Sequence, residues 1–234
     1  TEEYLYLIAN CDEESALLLQ EYAVKQRKEI YGNSVFVRGL IEISNICKND
    51  CYYCGIRRSN KNADRYRLSP QEILDCADVG YDLGFRTFVL QGGEDSYYTD
   101  ELLEDIIVKL KKKYDDIAIT LSLGERTFDS YKRLYDAGAD RYLLRHETAD
   151  EKHYKMLHPK NMSFDNRINC LNNLKQIGYQ VGCGFMVGSP YQTPKELAED
   201  LKFIEEFQPD MCGIGPFIPH RDTMFKNESA GTVE

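Results

Sequence analysis

Three of the chain's eight cysteines, Cys47, Cys51 and Cys54, fall within eight positions. Thiolates three and four residues apart on one loop can wrap a single compact soft-metal centre. Three is the informative number. A structural zinc ion takes four protein ligands, yet the next cysteine, Cys76, stands 22 residues further on in a helical pattern, no second C-x-x-C appears, and the nearest histidine is His146. A four-iron cube held by three cysteines would keep one iron open to a chelating ligand from outside. A zinc knuckle completed by a distant side chain is the competing account, and a disulfide plus a free thiol is a third. The remaining cysteines stand apart, and Cys76, Cys170, Cys183 and Cys212 read as small buried hydrophobes. A secreted framework would spread its cysteines to staple distant loops, so the clustering points to a reduced compartment, the cytoplasm.

Something must position that loop. The 234 residues carry 29 Lys and Arg against 39 Asp and Glu, a net charge of −10, which describes a single soluble globular domain. No apolar run is long enough to span a membrane and no transit peptide is visible; the first residue, Thr1, leaves the natural N-terminus open. The basic run Lys109 to Lys113 has acidic neighbours and reads as a solvated helix face, so neither nucleic acid nor membrane is an expected partner.

Residues 1–34 read as a helical segment, with Asp12 as N-cap, apolar residues such as Ala16, Leu17, Leu19, Ala23 and Val24 at helical spacing, and Gly32 as the stop. Strand patterns follow at Val35–Ile43, Arg86–Gln91, Ile117–Ser122, Arg141–His146, Tyr179–Val187 and Met211–Gly215, with a helical pattern in each gap. Ser69-Pro70-Gln71-Glu72 and Thr193-Pro194-Lys195-Glu196 are capping boxes with Pro at the first helical position, and Gly84, Gly138 and Gly178 are helix stops. Alternation of this kind makes a parallel sheet with helices outside it. Arg38 and Glu42, Thr120 and Ser122, and Arg145 and Glu147 each share a strand face, with Gln91 at the end of the second strand. Such residues suit a barrel with a polar upper interior, whose chemistry sits at the carboxyl ends of its strands. The expected fold is an α/β barrel of the TIM type with at least six parallel strands, over residues 35–220. Residues 221–234 lack periodicity and are expected to hang free.

Within this frame Cys47-Lys48-Asn49-Asp50-Cys51-Tyr52-Tyr53-Cys54 resembles the C-x3-C-x2-C signature of the radical S-adenosylmethionine (radical SAM) superfamily. Leu90-Gln91-Gly92-Gly93-Glu94-Asp95 resembles its Gly-Gly-Glu element, Gly188-Ser189-Pro190-Tyr191-Gln192-Thr193 its fifth-strand turn, with Tyr191 where a glycine is common, and Gly213-Ile214-Gly215 its sixth-strand adenine contact. The runs EISNICKNDCYYCGIRRSNKN, TLSLGE, ADRYLLRHETA and GIGPFIPHRDT together are similar to the HydE family of [FeFe]-hydrogenase maturases, from about Arg38 to Asp222.

The resemblance implies a [4Fe-4S] cluster on Cys47, Cys51 and Cys54, whose open iron chelates the amino and carboxylate groups of S-adenosylmethionine; one electron then breaks a carbon–sulfur bond and releases a 5′-deoxyadenosyl radical. It implies Tyr53 near the adenine, Glu147 for the ammonium, Arg167 for the carboxylate, Ser122 as a hydrogen-bond donor, Gln91, Gly92, Gly93 and Glu94 lining the turn, and Met186 and Ile214 on the nucleoside. A small organometallic or sulfur-containing substrate would lie deeper, near Arg38, Arg145, Gln91 and Thr120. The implied partners are a reductant protein such as a ferredoxin or flavodoxin and the other hydrogenase maturases. Family members have eight strands, so the last two are expected to be absent, with cluster binding surviving and turnover weak if the chain ends at Glu234.

Plainer readings compete. Arg167 lies in the helical run Phe164–Ile177, where a surface salt bridge is the default. A simple Arg145–Glu147 ion pair inside the barrel is the competing account for Glu147, Gly92-Gly93 alone is a turn, and His146 points to the opposite face as a structural histidine. Tyr97 and Tyr98 are placed to close over the site. At the level of the whole chain the alternatives are a biotin-synthase-like or methylornithine-synthase-like radical enzyme, and a non-catalytic iron–sulfur or zinc protein.

Overall fold

Strand and helix alternate through the computed structural model, which describes residues 1–232. Two helices, α1 (Glu2–Asn10) and α2 (Glu13–Tyr31), precede the first strand, with Asp12 capping α2 by accepting from the Ser15 amide. Then come β1 (Gly39–Ser44), α3 (Pro70–Asp82), β2 (Thr87–Gly92), α4 (Asp100–Lys113), β3 (Ala118–Ser122), α5 (Phe128–Asp136) and β4 (Arg141–Leu143). The second half holds α6 (Glu151–Leu157), α7 (Phe164–Ile177), β5 (Gln180–Cys183), β6 (Met186–Val187), α8 (Pro194–Phe207), β7 (Met211–Cys212) and β8 (Gly215–Pro216). Both capping boxes form, at Ser69 before α3 and Thr193 before α8, so each of these helices starts with two otherwise orphaned amides satisfied. Gly84, Gly138 and Gly178 all take positive φ just beyond a helix, the conformation that lets the chain turn back toward the sheet.

One six-stranded sheet runs in the order β1-β2-β3-β4-β5-β7, every neighbouring pair parallel. Crossover helices cover one face, so Ile41, Ile43, Phe88, Leu90, Ile119, Leu121, Tyr142 and Val181 are buried there. Their alternates, Leu40, Glu42, Gln91, Thr120 and Ser122 among them, line the opposite face by strand parity. This is the TIM-type arrangement, and its inner face is open along β1, where Leu40 is 54% exposed.

Three strand boundaries differ from the pattern. Residues 35–38 do not pair, because β2 first meets β1 at Phe88 opposite Gly39; Val35, Phe36 and Val37 are exposed. The run Tyr179–Val187 splits after Cys183. There Gly184 (φ +153) lies so close to the next strand that a Cβ would stand 2.0 Å from the Gly213 carbonyl oxygen, and the chain leaves the main sheet. Met211–Gly215 breaks in step, and β6 pairs with β8 in a separate two-stranded ribbon.

The stretch after Arg221 does not hang free. Met224 N donates to Tyr52 O and Gly231 N to Phe217 O, and Phe225 is buried with Leu157, Met186 and Phe217 against Tyr52 and Tyr53. Apolar residues at irregular spacing carry that packing, which a periodicity argument passes over; the last two residues of 221–234 lie outside the described residues.

Candidate functional site

The cysteine loop leaves the carboxyl end of β1 and is pulled into shape by charged side chains. Asp95, beyond β2, accepts from Ser44 Oγ (2.7 Å) and from Arg67 Nε and Nη2 (2.6 and 2.8 Å). Burial alone would raise this carboxyl; the Arg67 and Ser44 hydrogen bonds outweigh it and hold the group below its usual range. Inside the loop, Arg65 donates to four backbone carbonyls, those of Asn45, Ile56, Arg57 and Asn60. Asp50 accepts from Arg57 Nε (2.8 Å) and from Ser59, and the Arg57 bond keeps it far below the ordinary carboxylate range.

Gly92 and Gly93 then bring the β2 turn against the loop. A Cβ on Gly93 would stand 2.3 Å from Ile46 O and 2.7 Å from Cys47 Cβ, so only glycine allows the approach. As a result the amides of Glu94 and Asn49 point at Cys47 Sγ, at 3.4 and 3.5 Å, donors suited to a thiolate. Cys51 Sγ lies 3.6 Å from Met162 Sδ. Burial pushes the Cys51 thiol up to about 12 and raises Cys54 as well, so these groups would be thiolates only with a metal centre's positive charge beside them.

Among the described residues no three thiol, imidazole or carboxylate groups converge to hold one metal ion. A cube takes each of its thiolates on a different iron, and three thiols on one loop suit that arrangement.

Beside the loop stands a second group of side chains. Tyr53 is locked by His158, whose Nδ1 donates to Tyr154 O (2.9 Å) and whose Nε2 accepts from the Tyr53 hydroxyl (3.1 Å). Burial lowers His158 to about 3, so it stays neutral and keeps this tautomer. Glu147 has φ +68, a left-handed conformation that costs a non-glycine residue about 1 to 2 kcal/mol. Its Oε2 is buried without a hydrogen-bond partner, as is Arg145 Nε; the two are 3.7 Å apart, so the simple ion pair is loose.

Arg167, on α7, is buried rather than at the surface. It donates from Nε to Glu125 Oε1 (2.6 Å) and from Nη1 to the Arg145 carbonyl (2.7 Å). Glu125 in turn donates its amide to Glu94 Oε1 (3.0 Å), and Lys48 Nζ reaches Glu94 Oε2 (2.9 Å). Lys48, Glu94, Glu125 and Arg167 thus form one relay from the cysteine loop to α7. The run TLSLGE contains Glu125, but local spacing gives no sign of its partner. Gly124 (φ +74) makes the relay possible, since a Cβ there would overlap the Glu94 side chain at 2.1 Å.

Several sequence-designated residues are placed differently. Arg38 precedes β1 and lies at the amino ends of the strands, in a recess with Arg27, Arg141 and Asp210, far along the barrel from the cysteine loop; the strand starts later than its apolar pattern. Thr120 and Arg141 are opposite each other in the β3–β4 register, and Thr120 Oγ1 is buried without a partner. Gln91 and Ser122 pair across β2 and β3, and Gln91 contacts Glu42 at 3.5 Å. Met186 is buried on the ribbon near Tyr53, whereas Ile214 is 50% exposed. Tyr98 does not close over the site; its hydroxyl ties Ile43 O to Leu68 O, and Tyr97 lies beneath the Arg67 guanidinium. Cys170 and Cys183 are buried, but Cys76 and Cys212 are exposed, because they sit on the outer side of α3 and on the edge strand. Tyr191 takes φ +68, which explains why a glycine suits that position.

A parallel barrel sheet with three thiols at the carboxyl end of its first strand and a Gly-Gly-Glu turn beside them defines a class. The chain belongs to the radical SAM superfamily: the family model "Radical SAM superfamily" matches residues 41–204. The thiol set fits the iron–sulfur cluster that the class implies. Among curated relatives, the chain is 49% identical over 205 residues to the [FeFe] hydrogenase maturase subunit HydE of Thermotoga maritima, an alignment covering 88% of this chain and 58% of that protein. It is 30% identical over 212 residues to the 3-methylornithine synthase of Methanosarcina acetivorans, covering 90% of this chain and 60% of that one. Among solved structures it superposes on methylornithine synthase with a TM-score of 0.88 (28% identity, 97% of this chain and 66% of that one). On the [FeFe]-hydrogenase maturase HydG of Carboxydothermus hydrogenoformans the TM-score is 0.85 (27% identity, 99% and 56%). The chain thus spans about three-fifths of the length of the curated relatives it matches.

Proposed function

We propose that this chain carries a [4Fe-4S] cluster on Cys47, Cys51 and Cys54, binds S-adenosylmethionine at the iron those thiolates leave open, and serves in assembling the diiron subcluster of [FeFe]-hydrogenase. The 49% identity to HydE, sustained over 205 residues, carries this reading. When bound, the cluster supplies the electron that splits a carbon–sulfur bond of the sulfonium to give a 5′-deoxyadenosyl radical.

The protein's part is to bind, orient and exclude water. The cofactor's ammonium needs an anion, and Glu147 has a buried carboxylate oxygen with no hydrogen-bond partner. Its carboxylate needs a cation, and Arg167 is held rigid by Glu125 beside the loop; a guanidinium so oriented is suited to a carboxylate. Tyr53, fixed by His158, and Met186 offer apolar surface to the nucleoside, with Gln91, Gly92, Gly93, Glu94 and Ser122 along the turn and Ile214 at the rim. Arg145 and Thr120, both with unpartnered buried atoms, would face a small organometallic or sulfur-containing substrate. The partners in this reading are a reductant protein, such as a ferredoxin or flavodoxin, and the other maturases, in the cytoplasm.

The test is product analysis after anaerobic reconstitution and reduction. Formation of 5′-deoxyadenosine and methionine from S-adenosylmethionine, lost in Cys51→Ala, together with restored hydrogenase activity in a maturation system lacking HydE, is the expected result. A second reading has the TM-score of 0.88 to methylornithine synthase in its favour; formation of 3-methylornithine in the same assay, with no hydrogenase maturation, would replace the first.

A further inference from the structure

We infer that His146 and Asp200 are a buried positioning pair that aims the Glu147 carboxylate into the site, an inference that rests on Glu147 being the partner of the cofactor's ammonium. Both side chains are fully buried, and His146 Nε2 lies 3.3 Å from Asp200 Oδ1. His146 Nδ1 accepts from the Gly184 amide (3.2 Å), so the imidazole proton sits on Nε2 and faces the carboxylate; the approach is off the ideal line, and Nε2 has no other partner. The rings of Phe203 and Phe185 close around the imidazole at 4.6 and 5.8 Å. Burial raises Asp200 above its usual range, against the pull of His146 and the Ala149 amide.

What the pair holds is the segment around Glu147. Asp200 Oδ1 accepts from the Ala149 amide at 2.6 Å, two residues after Glu147, and His146 is the residue before it. The Glu147 amide donates to Gly184 O (3.0 Å), while His146 accepts from Gly184 N, so residues 146 and 147 grip both polar groups of the glycine at which β5 breaks from the sheet. Glu147 is thereby bracketed on each side in a left-handed conformation it would not keep unaided. A buried ionisable pair is expensive relative to apolar packing of the same volume. Here it fixes a strained residue whose own carboxylate has a buried oxygen without a hydrogen-bond partner, the arrangement expected where strain serves binding.

The experiment compares Asp200→Ala, Asp200→Asn, His146→Asn and Glu147→Gln in the reconstituted chain. Cofactor affinity is read by titrating the change it causes in the reduced-cluster spectrum, and amide hydrogen exchange of residues 146–149 is read in the cluster-free protein. Asp200→Ala is expected to weaken cofactor binding about tenfold, the scale of one misaligned charge-assisted hydrogen bond, to speed exchange at residues 147–149, and to leave iron content unchanged. Asp200→Asn, which keeps an oxygen for the Ala149 amide, recovers most of the affinity. His146→Asn keeps an acceptor for Gly184 but loses the contact with Asp200, and falls between. Should Asp200→Ala not fold, His146→Asn and Asp200→Asn carry the comparison, and equal affinity in both and the parent overturns the inference. Lowered thermal stability with cofactor affinity at the parent value, while Glu147→Gln weakens binding, makes the pair merely structural and overturns it too. Unchanged affinity in Glu147→Gln removes the role of Glu147, and the inference with it.

Discussion

Gly93 shows how one missing side chain organises the site. Its Cα approaches the cysteine loop so closely that a methyl group would overlap a backbone carbonyl oxygen at 2.3 Å, and backbone cannot swing aside as a flexible side chain does. Gly93→Ala should therefore destabilise the fold by about 1 to 3 kcal/mol and lower iron incorporation, measured by the urea midpoint and by iron analysis; a parent-like midpoint with full iron content would contradict the packing. His158 gives a pH dependence. Its proton affinity is depressed by burial to about 3, so between pH 3 and 6.5 the unfolded chain binds a proton that the folded chain refuses. Stability from this group is full above pH 6.5 and falls as the pH drops toward 3, by up to about 1.4 kcal/mol per pH unit. His158→Gln should flatten that acid limb in denaturation curves taken from pH 7 to 4, relative to the parent protein. At this scale the three cysteines were legible because their spacing is local. Glu125 was not, since its partner Arg167 lies 42 residues away and only the fold brings them together.

Elements follow local rules until a neighbour intervenes. The capping boxes at Ser69 and Thr193, the Asp12 cap and the helix Phe164–Ile177 all stand where the pattern puts them, because caps and helical periodicity are decided within a few residues. Strand ends are decided by a partner. Arg38 reads as the start of a strand on its apolar neighbours, yet β1 begins only where β2 offers Phe88 to Gly39, which puts Arg38 at the opposite end of the barrel from the thiols. Likewise the break after Cys183 depends on Gly213, a residue of another strand. Thr193→Ala should cost about 1 kcal/mol by exposing the first amides of α8. The loss should appear in thermal unfolding with iron content unchanged, since the Thr193 side chain bonds within the first turn of α8; loss of iron in this variant would mean that α8 is coupled to the cysteine loop.

At the scale of the whole molecule, the barrel explains why dispersed polar residues become one site. The carboxyl end of β1 carries the thiols, the turn after β2 carries Glu94, the segment after β3 carries Glu125, the segment after β4 carries Glu147, and α7 brings Arg167 back over them. The alternation of strands and helices predicts a parallel barrel sheet, and the sheet order and parallel pairing agree with it. What parity could not give is depth along the barrel, so residues of one face, Arg38 and Arg145, were grouped although they lie at opposite ends. In the proposed function, three thiolates leave one metal position open to an outside ligand. Electron paramagnetic resonance of the anaerobically reconstituted, dithionite-reduced protein, with and without S-adenosylmethionine, tests it most directly. A reduced four-iron signal that shifts when the cofactor is added, and is lost in Cys47→Ala, Cys51→Ala and Cys54→Ala, is the predicted result; a four-iron signal indifferent to the cofactor, or a protein that takes up zinc and no iron, would contradict the account.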